Sequence, residues 1–156
     1  MDKNLWDIPL ILKRMLEVML FLGIVFIIAL PIIIIFMNQH IVESFFSGAA
    51  QNKWLSFVFL ELCSIFAWFI LLCLQKLLKT VIIHSPFVYS NVLYLKYTSY
   101  LCAGAGLVLI VKTFADFTVL TPVVAVLAIL ASLFCQTLAA VFDKAIRLKD
   151  ENDLTI

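Results

Sequence analysis

Residues 18–37 read VMLFLGIVFIIALPIIIIFM. The run is twenty residues long and carries no charge, and Gly23 and Pro31 are its strongest interruptions. About 20 apolar residues are what a helix needs to cross the hydrocarbon of a bilayer. A second run follows at 54–74, WLSFVFLELCSIFAWFILLCL, and a third and fourth at about 93–111 and 119–142. Lipid offers no hydrogen bonds, so each run must pair its own backbone polar groups and is predicted to be helical. The ten-residue alternation of a membrane β-barrel is absent.

Composition agrees. Of 156 residues, 65% are hydrophobic and 13% charged, and mean hydropathy is +1.14. Soluble domains are closer to half apolar and a quarter charged, and a fold of this size cannot hide so much apolar surface from water. The fold class expected is therefore all-α: one membrane domain, 1–156, with four transmembrane helices in a compact bundle. The net charge of +1 provides no field to draw nucleic acid, and direct nucleic-acid binding is not expected.

The first run invites a second reading as a signal peptide, since Lys13 and Arg14 precede it and Ser47, Gly48, Ala49 and Ala50 follow. Its length exceeds the 7–15 apolar residues of a signal core, so it reads as a retained anchor. Basic residues set the orientation. Lys3, Lys13, Arg14, Lys76, Lys79, Lys96, Lys144, Arg147 and Lys149 fall on one side, and Lys53 and Lys112 on the other. Both termini, the loop 75–92 and the tail 143–156 are thus expected in the cytoplasm, with a bacterial cytoplasmic membrane as the location. Acidic residues nearly neutralise those flanks, which argues against a polybasic lipid switch. Asp143, Arg147 and Glu151 are spaced i,i+4, so the fourth helix is expected to continue into the tail. Residues 5–16 read either as a separate interfacial helix capped by Asp7 or as an early start of the first span.

Few residues point to chemistry. Cys63, Cys73, Cys102 and Cys135 are scattered over three spans with no C-x-x-C pair, and His40 and His84 fall on opposite sides of the membrane. Neither a metal site nor a cofactor is expected, and with no nucleophile–base motif the chain reads as non-enzymatic. The exception is Glu61, seven residues into the second run, with no Lys or Arg at its depth in the linear sequence. An ionisable group inside a span is costly and often marks an ion or proton path. Gly104 and Gly106 in the third run, and Ala125, Ala128 and Ser132 in the fourth, are small faces suited to helix packing, with a homo-oligomer contact as the alternative. Tyr89, Tyr94, Tyr97 and Tyr100 read as an interfacial anchor belt.

The loop is less generic. His84-Ser85-Pro86-Phe87 is followed by Asn91, and the chain closes Leu148-Lys149-Asp150-Glu151-Asn152-Asp153-Leu154-Thr155-Ile156. The Pro-Phe-x-x-x-Asn spacing before a span and the acidic-Asn-Asp-Leu-Thr close resemble a bacterial four-span membrane family catalogued as domain of unknown function 2975. Its members usually have Gly or Asn before the Pro-Phe, where this chain has His84 and Ser85. The resemblance implies a membrane protein often found beside small helix-turn-helix regulators. The leading expectation is an interaction protein that holds such a cytosolic DNA-binding regulator through Pro86, Phe87, Asn91, Glu151, Asn152, Asp153 and Leu154. The alternative is a small transporter, channel or immunity-type protein working through Glu61. On the residues alone, Asn91 is also a candidate cap for the third helix.

Overall fold

The computed structural model describes residues 4–36, 53–83, 88–115 and 120–153. These form four helices: α1 (Asn4–Phe36), α2 (Lys53–Ile83), α3 (Tyr89–Ala115) and α4 (Leu120–Asp153). There is no strand among the described residues. All four helices are long and apolar enough to cross a membrane. The chain is a four-helix bundle of the multi-pass membrane type.

The helices run past the apolar runs that predict them. α2 continues through Gln75, Lys76 and Lys79 to Ile83, and α3 starts at Tyr89, so most of 75–92 is helix rather than loop. Polar residues mark where lipid gives way to water, not where backbone hydrogen bonding stops. α2 ends just short of Pro86, whose ring disfavours helical geometry at the residue before it. α1 is continuous from Asn4. Of the two readings of 5–16, the early start of helix one is the observed one, and Asp7 lies inside the helix rather than at its cap. A Lys13–Glu17 pair at 3.8 Å spans one turn there.

Successive helices are antiparallel. Along the α3–α4 seam Ser99 meets Ser132, Gly106 meets Ala125, Ala128 and Ile129, and Val92 and Leu95 cluster with Ala139. Along α2–α3 Phe66 meets Gly104 and Leu77 packs against the Val92 cluster. Gly23 of α1 faces Trp68 of α2. Packing is graded in chain order: α3 on α4 is the most extensive contact, α2 on α3 is smaller, and α1 on α2 smaller again. α1 exposes most of its apolar side chains, Phe21, Leu22, Val25, Phe26 and Ile28 among them.

The core follows that grading. Val92 and Ala139 are fully buried, with Leu77, Leu138, Phe142 and Ile146 closing around them. Lipid tails are as apolar as these side chains, so burial alone does not hold helices together in a bilayer. Close approach of small residues and interhelical hydrogen bonds do. α3 and α4 have both. The Ser99 hydroxyl donates to the Ser132 carbonyl at 2.9 Å and lies 3.1 Å from the Ser132 hydroxyl. Ser99→Ala is expected to cost about 1 kcal/mol, in the range of intramembrane hydrogen bonds. Ser132→Ala is expected to cost less, because its backbone carbonyl still accepts. Equal losses in reversible denaturation from mixed micelles would contradict this geometry.

Candidate functional site

Two regions gather the residues with chemical potential. The first is the end of the bundle where α2 stops, α3 starts and α4 runs on. Pro86 and Phe87 lie outside the described residues, as does Leu154. Asn91 is described and is 1% exposed. Its backbone N–H donates to the Val88 carbonyl at 2.9 Å, which places it within the first turn of α3 and not at the capping position. The helix starts at Tyr89, three residues earlier than a cap at Asn91 requires. The Asn91 side chain is therefore packed inside the bundle end rather than offered on its surface.

Glu151 and Asn152 behave differently. Both are exposed on the last turn of α4, and Asp153 is its final residue. α4 spans 34 residues, about 51 Å at 1.5 Å per residue. Because Val92 at the start of α3 clusters with Ala139, residues 143–153 extend beyond α3 by roughly 16 Å. The expected i,i+4 pair is present, with Arg147 Nη2 3.1 Å from Asp143 Oδ2. Arg147 and Leu148 are exposed on this extension. The tail is thus a helical arm of mixed charge, not a loose segment. Nearby, the Lys76 ammonium sits over the Tyr94 ring, 5.9 Å from its centroid, joining α2 to α3 by a cation–π contact. Tyr89, Tyr97 and Tyr100 are exposed, as an interfacial belt requires.

The second region is the α1-facing side of α2. Glu61, Ser64 and Trp68 fall at i, i+3 and i+7, one face of a helix. Glu61 Oε2 and Trp68 Nε1 are both shut off from solvent and have no hydrogen-bond partner among the described residues. The Ser64 hydroxyl donates back to the Leu60 carbonyl at 2.9 Å, so its proton is not available to Glu61. Ser64 and Trp68 line an apolar cleft of about 520 Å³ between α1 and α2, walled on the other side by Leu22, Gly23, Val25, Phe26 and Ala29. Sequence reading picked out Glu61 but not Trp68, because a tryptophan in an apolar run reads as an anchor. Its spacing from Glu61 is the signal that links them.

The four cysteines are free. Among the described residues no group of His, Cys, Asp and Glu is arranged to hold a metal ion.

A family model described as "Protein of unknown function (DUF2975)" matches residues 15–156. No curated protein matches, and no solved structure matches.

Proposed function

This chain belongs to the DUF2975 family, and on that premise we propose that it is a non-enzymatic interaction protein of the bacterial cytoplasmic membrane. It holds a cytosolic helix-turn-helix regulator through the arm of α4 together with Pro86 and Phe87. The observation that carries the reading is the arm itself. It carries a charged helix past the start of α3, with Arg147, Leu148, Glu151 and Asn152 exposed. A regulator held there is withdrawn from DNA by mass action. Asn91 contributes by shaping the start of α3, not by touching the partner.

The test is co-purification of the neighbouring regulator with the full-length protein and with a chain ended after Arg147. That truncation keeps Ile146, which packs on the core, so the bundle is preserved. The full chain is expected to retain the regulator and the shortened one to lose it. Equal recovery removes the arm from the site. Orientation is tested separately: Asn152→Cys, with the four native cysteines replaced, is expected to react with an impermeant thiol reagent only after cells are opened.

The orphaned Glu61 and Trp68 atoms favour a second reading, in which the protein is a small transporter, channel or immunity-type protein using the α1–α2 face. Glu61→Gln then abolishes flux or resistance. An unchanged phenotype removes that reading.

A further inference from the structure

Between α3 and α4 lies a small crevice of about 220 Å³, lined by Lys96, Ser99, Tyr100 and Gln136. All four side chains are polar and none is a carboxylate. Lys96 and Tyr100 share a face of α3, one turn apart. Gln136 is brought across by the register that pairs Ser99 with Ser132, one turn further along α4. The Ser99 hydroxyl is committed to Ser132. Among the described residues the Lys96 ammonium, the Tyr100 hydroxyl and the Gln136 amide take no protein partner. A cation and two further donors therefore converge on one opening. Lys96, Tyr100 and Gln136 are all on the exposed side of the helices.

Depth identifies what reaches that opening. From Lys96 to Lys112 the rise along α3 is about 24 Å. Lysine side chains snorkel outward from both ends, so the pair brackets a hydrocarbon layer of about 30 Å. Lys96 then stands at the level of the lipid phosphates on the side of the α2–α3 loop, and Lys112 at the opposite boundary. At that level the abundant anion is a lipid phosphodiester. We infer that the Lys96–Ser99–Tyr100–Gln136 crevice binds the headgroup of an anionic phospholipid. Lys96 pairs with a phosphate oxygen, while the Tyr100 hydroxyl and the Gln136 amide N–H donate to the remaining oxygens. The crevice holds no acidic group to receive an ammonium, so it selects a glycerol headgroup over an ethanolamine one. A polybasic surface is not needed; one cation with oriented donors suffices.

The test uses the full-length protein in a neutral detergent, with bound lipid read by native mass spectrometry. Phosphatidylglycerol and phosphatidylethanolamine of the same acyl composition are offered at equal concentration, with and without excess inorganic phosphate. Phosphatidylglycerol is expected to be retained preferentially, and phosphate is expected not to displace it. Lys96→Gln is expected to weaken its retention about tenfold, the scale of a lost hydrogen bond to a charged group. Tyr100→Phe, which removes only an exposed hydroxyl and leaves folding intact, is expected to weaken it several-fold. Lys112→Gln removes the same charge at the other boundary and is expected to leave retention unchanged. Equal retention of the two lipids, an unaffected Lys96→Gln and Tyr100→Phe, or an equal loss in Lys112→Gln overturns the inference. Displacement by inorganic phosphate overturns it too, since the crevice then takes a free anion.

Discussion

Gly106→Leu is expected to lower the stability of the bundle by about 3 kcal/mol, the upper end of what overpacking a well-filled interior costs. A Cβ at this position meets Ile129 Cγ1 at 3.0 Å, the Ala125 carbonyl oxygen at 3.5 Å and Ala128 Cβ at 3.6 Å. The isoleucine can turn, but a backbone carbonyl and an alanine Cβ cannot move without moving α4. Forcing α3 from α4 also strains the Ser99–Ser132 hydrogen bond. In lipid there is no hydrophobic gain to draw the helices back. Reversible denaturation in mixed micelles, followed by helical circular dichroism, gives the comparison. Gly106→Ala is expected to fall between wild type and Gly106→Leu. Gly104→Ala is expected to be milder than Gly106→Leu, because its added Cβ meets only the ring edge of Phe66, at 3.0 Å, and a ring can swing aside. Leu107→Ala is the control: Leu107 is 62% exposed on the outer face, and its loss is expected to change little. A Gly106→Leu protein that unfolds with wild-type stability would falsify the close approach of α3 and α4.

Glu61→Leu is expected to have the opposite sign and to raise stability by about 2 kcal/mol, the order of the penalty for a buried polar group left without a partner. Glu61 Oε2 is enclosed and has no partner among the described residues. Leucine is of comparable size and removes the unsatisfied atom. A stabilised Glu61→Leu protein identifies a carboxyl kept for a reason other than folding, since natural sequences retain such costs mainly at working sites. A destabilised one makes the carboxyl a structural group. Glu61→Gln separates charge from polarity. It leaves a polar orphan in place and is therefore expected to gain less than leucine.

The spans were legible because twenty uncharged residues in succession admit few alternatives in lipid. The packing of Gly106 against Ala125 and Ala128 was legible in part: small residues at helical spacing on two spans point to close packing, within the chain or between copies, and the fold shows the first. The arm was foreshadowed by Asp143 and Arg147 at i,i+4. Helix ends were not legible: Gln75, Lys76 and Lys79 look like loop by polarity yet extend α2. Nor was the crevice between α3 and α4. Lys96 reads as a flanking charge and Gln136 as a stray amide until the α3–α4 register sets them side by side. Sequence shows a residue's depth along its own helix, whereas which helix stands beside it at that depth is a property of register.

Chain-order packing bears on how the molecule is made. Among the described helices every substantial contact joins neighbours along the polypeptide, so none of them has to await a distant partner and little loop entropy is spent before contacts reward it. As synthesis proceeds, each new hairpin finds its mate among the residues inserted just before it. The tightest seam is then the last to zip, and a ribosome stalled before the final helix leaves α3 in the bilayer with its serine and glycine face bare.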